Sequence, residues 1–333
     1  MPSSSAAGNG HVTACYTALV LVKILGSAAG GGFPQWNCAC PNCRAVRAGT
    51  FQGKPRTQTQ VAISSDGRDW FLLGASPDLR TQIEATPELH PRQQPPERAP
   101  RDSPIAGVLL LNADIDHVLG LLLLRELQPL RVYSTKSVRR ILSKDNSMFA
   151  MLERVPGQAS WNEFAPGAQF PLLNPQGEDS GLRCRAIPLG THFPAYVSPP
   201  RRSQLHPLES SLGLIVESPS SKRLAFLPAV PEIDMQVLKL LDSADVVLFD
   251  GTFWTPDELI SMQGSAQSSW DMGHVPVSSN GGSLAKLAQV QHPRRIYIHI
   301  NNTNPMLNDA GPEYRQVRDA GLEIAEDGWQ FEI

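Results

Sequence analysis

Nowhere in the 333 residues does an apolar run reach the ~20 positions that a bilayer-spanning helix needs. The stretch from Tyr16 to Leu25 is interrupted by Lys23 and enters a Gly-rich turn, so it reads as a first strand and not as a signal peptide. Neither sign of charge is in real excess. With 29 Lys and Arg against 32 Asp and Glu, the net charge is -3, and no basic field exists to hold nucleic acid or an anionic membrane. Cysteine is scarce: of the five, three fall between residues 38 and 43, which is too few and too clustered for a secreted disulfide framework. A reducing cytoplasm is the compartment expected.

What the chain does have is 41% hydrophobic residues, enough for a large core, and 26 Gly and 29 Pro, which imply many turns. Residues 1–19 read as a loose extension, and the rest as one layered domain. Leu19 to Leu25 is β-rich and ends at Gly26-Ser27-Ala28-Ala29-Gly30-Gly31-Gly32. Val61 to Leu73 holds two apolar runs about Asp66-Gly67, a hairpin signal. The Pro-rich segment 86–103 is a surface loop. Ile105 to Leu111 predicts a buried strand and Val118 to Glu126 a Leu-rich helix. In the second half, Leu212 to Glu217, Leu224 to Leu227, Val246 to Phe249 and Arg295 to Ile300 predict strands, with helices over Ile233 to Leu241 and Ser283 to Gln289. A last hairpin is expected over Glu323 to Ile333 about Asp327-Gly328. Hairpins at both ends with helical crossovers between them favour a layered α/β sandwich over a purely parallel sheet.

Two constellations carry chemistry. Cys38, Cys40 and Cys43 lie in a Pro-punctuated loop, so three thiolates can converge on one tetrahedral Zn²⁺ with little loop-closure cost; three free buried cysteines are the alternative. Asp116 and His117 follow a buried strand directly, and Asp250 and His299 sit at the ends of two later strands. Strand C-termini are where sites assemble in open α/β sheets, so recurring carboxylates and imidazoles there suggest one shared metal centre. Each residue alone is as readily a cap or a structural histidine. His274 lies in a Gly/Ser-rich loop, as exposed site residues and ordinary solvated histidines both do. The Gly26 to Gly32 loop lacks G-x-G-x-x-G and precedes no helix signal, which argues against a nucleotide.

Taken together, Ile24 to Asn37 with Cys38-x-Cys40-x-x-Cys43, Asn112-x-x-Ile115-Asp116-His117, Asp250-Gly251-Thr252, Met272-Gly273-His274 and His299 to Pro305 closely resemble the pyrroloquinoline quinone biosynthesis protein B family, a branch of the metallo-β-lactamase superfamily. The resemblance implies an αββα sandwich, two mixed sheets flanked by helices. It places the superfamily's H-x-H-x-D-H motif on Asn112 to His117, where Asn112 and Asp114 replace both leading histidines. A two-zinc hydrolase is thereby disfavoured. Asp116, His117, His299 and Asp250 remain, a set suited to one metal with open positions, as in non-haem Fe(II) oxygen chemistry.

By the same resemblance the chain is a cofactor-biosynthesis enzyme, an iron-dependent hydroxylase of the tyrosine ring of a Glu-Tyr-derived precursor. The alternative is a carrier that moves the quinone or its precursor toward export. His274 is implied as a group that moves a proton or binds the metal, and the cysteine cluster as a structural zinc site with Asn302 at its fourth position. Arg47 and Arg56 are candidates for the substrate carboxylates, because guanidinium pairs them bidentately. A homodimer is the assembly considered.

Overall fold

The computed structural model of the chain describes residues 19–92, 101–126, 128–144 and 146–333. The expected loose extension therefore lies almost wholly outside the described residues, as does the centre of the Pro-rich segment. In the first half the strands are β1 (Leu21–Gly26), β2 (Gln60–Ser64), β3 (Trp70–Leu73), β4 (Ile105–Leu109), β5 (Leu130–Ser134) and β6 (Ala159–Glu163). They are followed by β7 (Gln169–Leu173), β8 (Asp179–Gly190), β9 (Ser211–Glu217), β10 (Arg223–Leu227), β11 (Val246–Asp250), β12 (Arg294–Ile298), β13 (Glu323–Ile324) and β14 (Gln330–Glu332). One sheet runs β14-β1-β2-β3-β4-β5-β6 and the other β13-β12-β11-β10-β9-β8-β7. Each is mixed: β1 to β3 and β7 to β10 pair antiparallel, whereas β3 to β6 and β10 to β13 pair parallel.

The period-2 alternation of a strand explains the layers. Val61 and Ile63 of β2, Val246 and Leu248 of β11, and Ile296 and Ile298 of β12 all enter one cluster between the two sheets. The intervening Val247, Phe249 and Tyr297 face outward, onto helix residues such as Val237, Leu241 and Val317. On the other sheet, Ala62, Leu72 and Val132 pack on Leu79, Val138 and Ile141. Strands covered on both faces read as unbroken apolar runs, and at ~1.5–3 kcal/mol per buried large side chain these three clusters supply the main driving force for the fold. The result is the αββα sandwich. No helix among the described residues is long and apolar enough to cross a membrane.

The structure corrects two elements. The expected helix over Val118 to Glu126 is a single α turn, Ile115–Val118, continued as 3-10 helix over Leu119–Leu124. Gly120 explains the tightening: its N–H donates to the Ala75 carbonyl at 2.9 Å, and a Cβ there would lie 2.3 Å from the Ser76 carbonyl oxygen. The C-terminal hairpin does not form. β13 pairs with β12 in one sheet and β14 with β1 in the other, so the Asp327-Gly328 turn carries the chain between sheets. Asp327 fixes the crossing by accepting from the Thr57 N–H (2.6 Å), the Thr57 hydroxyl (2.7 Å) and the Ser27 hydroxyl (2.8 Å). At the edge of the Pro-rich segment, Leu89 is buried and Arg92 Nε meets Asp102 at 3.0 Å, so its two described ends are anchored to the body.

Candidate metal centre

Parallel pairing of β10, β11 and β12 brings their C-terminal ends to one rim, with Asp250 beside Ile298 in register and His299 one step beyond. At the same rim the loop after β4 turns through Asn112–Asp114 into the short helix carrying Asp116 and His117. The Asp114 carbonyl accepts the His117 N–H at 2.9 Å. The Gly-rich turn after β1 closes the group from the other side. A Cβ on Gly30 would lie 3.1 Å from Asp116 Oδ2, so glycine there lets the carboxylate lie close against the turn.

The side chains meet in two overlapping groups. Asp116 Oδ2 lies 3.4 Å from His299 Nε2 and 3.8 Å from His117 Nε2, and one ligand atom from each of the three falls within 4.8 Å of the others. Asp250, His274 and His299 form a second group by the same measure. The His117, His299 and His274 rings stack, with centroids 5.3 and 5.4 Å apart and planes within 15°. His299 adopts φ 60°, a left-handed backbone that disfavours a side chain and marks a functional constraint.

The second group is a closed hydrogen-bond chain. Asp250 is fully buried. Its Oδ2 accepts from the Val230 N–H (2.8 Å) and His274 Nδ1 (2.8 Å), and its Oδ1 from the Thr252 N–H (3.0 Å) and hydroxyl (2.6 Å). That occupies about four acceptor sites, the capacity of a carboxylate. With its proton directed to Asp250, the Thr252 hydroxyl accepts from His299 Nδ1 at 2.8 Å. Asp250 was expected among the ligands. Its oxygens hold Thr252 and His274, and one of them also lies within 4.8 Å of ligand atoms of His274 and His299, so Asp250 stays in a group that could hold an ion. Thr252 was quoted in a motif but given no role by the sequence, since its partners come from three separate segments.

Burial alone would raise Asp116, but the His117 and His299 imidazoles beside it hold its carboxyl well below the usual range. Burial pushes the His117 imidazole down, toward the neutral form that binds metals. For His274 burial acts downward, yet the Asp250 carboxylate outweighs it and raises the ring. Asp114 is pushed up to about 6 by burial and then by the Asp116 charge. These groups open onto a cleft of about 470 Å³ whose wall also includes Asn112, His192, Trp270 and Asp271.

The cysteines converge as expected. Cys40 caps the helix Pro41–Arg47, its sulfur accepting the Cys43 N–H at 3.4 Å. The Asn302 amide nitrogen stands 3.1, 3.6 and 3.3 Å from the sulfurs of Cys38, Cys40 and Cys43. Burial and the neighbouring thiols push Cys40 up to about 11, so its thiolate needs a cation beside it. Three convergent sulfurs fit zinc, whereas the Asn302 amide nitrogen as placed donates to them and is not itself a ligand.

Neither arginine reaches the cleft. Arg47 is exposed and donates to the Cys38 and Gln35 carbonyls, stapling the cysteine loop. Arg56 is buried, with Nη1 donating to the Ala325 carbonyl. Its charge is enclosed in the body of the fold.

A sequence profile of the β-lactamase superfamily domain matches residues 69–300. Coenzyme PQQ synthesis protein B of Nitrosococcus oceani is 41% identical over 317 residues, covering 93% of this chain and 98% of that protein. The chain belongs to the coenzyme PQQ synthesis protein B family. The Pseudomonas paraeruginosa member is 42% identical over 313 residues, with 94% and 99% coverage. The crystal structure of Zn²⁺-bound PqqB from Methylobacterium extorquens superposes with a TM-score of 0.84 at 36% identity, covering 94% of this chain and all of that one. The αββα sandwich and the family that the motifs resemble both agree with these matches, and the fold is that of the metallo-β-lactamases.

Proposed function

We propose that this chain acts in the biosynthesis of pyrroloquinoline quinone as an iron-dependent hydroxylase of the tyrosine ring of a Glu-Tyr-derived precursor. The observation that carries the reading is the meeting of Asp116, His117 and His299 at the floor of the cleft, two imidazoles and one carboxylate. That donor set, with its remaining positions open, is the one used by non-haem Fe(II) oxygenases. Asp116, His117 and His299 would hold the ion, which when bound supplies the activation of dioxygen. Family membership supports the biosynthetic setting.

The chain's own residues do the rest. Thr252 and Asp250 fix the tautomers of His299 and His274, directing each Nε2 away from the hydrogen-bond chain. His274, held through Nδ1, is the group to take up or return the phenolic proton at Nε2. Trp270 and Ile115 give the cleft an apolar rim on which an aromatic ring can lie. A structural zinc at Cys38, Cys40 and Cys43, with Asn302 against its sulfurs, would hold the loop that also carries His299.

The test is anaerobic purification, loading with ferrous iron, and addition of the diamino-acid substrate in air-saturated buffer with an excess of a two-electron reductant such as ascorbate, which takes the second oxygen atom to water. Oxygen uptake with a product heavier by one oxygen atom is expected. No uptake at any iron loading, with the substrate or quinone bound but unchanged, would replace the hydroxylase with the carrier.

A further inference from the structure

We propose that the wall of the cleft built by Thr191, His192 and Ser211 is the subsite for a carboxylate of the ligand, received by neutral hydrogen-bond donors and not by guanidinium. The proposal rests on the reading above of an amino-acid-derived aromatic precursor, and it adds which part of the cleft takes that precursor's carboxylate.

Such a precursor carries carboxylates, yet among the described residues no Lys or Arg lines the cleft. Arg47 and Arg56 are spent on backbone carbonyls elsewhere. The anion must then be met by N–H and O–H groups that carry no net charge, and one stretch of wall supplies them. Strand β8 ends at Gly190, which pairs in register with Ser211 at the start of β9, and Thr191 and His192 follow directly. All four border the cleft. A Cβ on Gly190 would stand 3.2 Å from the Pro231 ring, so glycine there lets the strand end lie close against it.

Ser211 is only 8% exposed, and its hydroxyl has no hydrogen-bond partner among the described residues. A hydroxyl withdrawn from water and left unpaired is costly, and a carboxylate oxygen docked against it relieves the cost. The Thr191 hydroxyl and the His192 ring are likewise without a partner among the described residues, and both residues are exposed where β8 runs out into the cleft. Burial, His274 and Arg202 all press the His192 imidazole below its usual value, toward the neutral ring that offers one N–H. The charges acting on this ring are thus cationic, a field that favours an anion beside it. The carboxylates that border the cleft, Asp114, Asp116 and Asp271, come from other segments. Asp116 lies against His117 and His299, and Asp271 accepts from the Ser268 N–H (2.9 Å) and hydroxyl (2.7 Å).

The experiment is calorimetric binding to the full-length, zinc-loaded protein, using the anionic 3-(4-hydroxyphenyl)propionate and the neutral 4-ethylphenol. Wild type is expected to hold the propionate at least about tenfold more tightly, the range of one hydrogen bond to a charged group. The double variant Thr191→Val, Ser211→Ala should lose about tenfold to a hundredfold for the propionate and little for 4-ethylphenol, whose retained binding marks the variant as folded. His192→Phe should lose about tenfold for the propionate alone. Asp116→Ala, which is expected to give up the histidine-site ion, should keep the preference; its loss there would assign the carboxylate to the ion and overturn the proposal. Equal binding of the two probes by wild type, an unchanged propionate affinity in the double variant, or no binding of either probe would overturn it as well. Neither iron nor oxygen is used. A hydroxylase that fails to turn over leaves the carboxylate preference standing, and a missing preference leaves the oxygen chemistry untouched.

Discussion

His299 Nδ1 stands 2.8 Å from the Thr252 hydroxyl, so the imidazole at the end of β12 is aimed by a side chain two residues beyond β11. Thr252→Val keeps the shape and removes the oxygen. We expect about 1–3 kcal/mol lower stability, because the Asp250 oxygen and His299 nitrogen lose a buried partner. Metal affinity at the histidine site should fall about tenfold to a hundredfold, as for other groups that orient ligands. Thermal melts and metal-competition titration measure both, and Thr252→Ser should recover most of each.

Asp116→Ala removes the only carboxylate of the first ligand group. The histidine-site ion should be lost while the cysteine-site zinc stays, so metal analysis should read one ion per chain fewer than wild type. Loss of both ions together would mean that the two sites form as one unit.

Turned about its last side-chain bond, the Asn302 amide presents oxygen instead of nitrogen to the same three sulfurs, and a hard oxygen could complete a tetrahedron. Asn302→Ala should hold zinc about tenfold less tightly against a chelator, and Asn302→Asp at least as tightly as wild type. Equal retention by the alanine variant would reduce the amide to a hydrogen-bond donor.

Glu258 is buried against the same loop, accepting from the Trp254 N–H at 2.6 Å and from the Thr303 hydroxyl. Burial outweighs these bonds and pushes its carboxyl from 4.5 up to about 7. A raised folded-state value means that its contribution to stability is complete below the unfolded value and is lost as pH rises through about 7. Wild type should therefore lose on the order of 1–3 kcal/mol between pH 5 and 8 through this group. Glu258→Gln should flatten that part of the melting profile, and parallel profiles for the two proteins would show that Glu258 ionises normally.

The central strands were legible in the sequence because burial on both faces leaves unbroken apolar runs, as in β4 and β11. The edge strands were not: β6, Ala-Ser-Trp-Asn-Glu, is half solvated, and β7 carries Pro171, which only an edge tolerates. The C-terminal pair was misjudged because Asp-Gly marks a turn without stating which strands it joins. In the site, Cys38, Cys40 and Cys43 announce themselves by spacing, and Asp116, His117 and His299 by their place at strand ends. That Asp250 is bonded to Val230, Thr252 and His274 was not legible, because only the folded chain brings those positions together. Arg56 is indistinguishable in sequence from a surface arginine, and its neighbours alone reveal it as enclosed.

The left-handed backbone at His299 sets durability against usefulness. A non-glycine residue held there costs on the order of 1–3 kcal/mol. His299→Gly would ease that tension while deleting the imidazole shared by both ligand groups. A screen that rewarded heat resistance alone would drift toward glycine at this position and return a hardier protein with nothing to grip the ion.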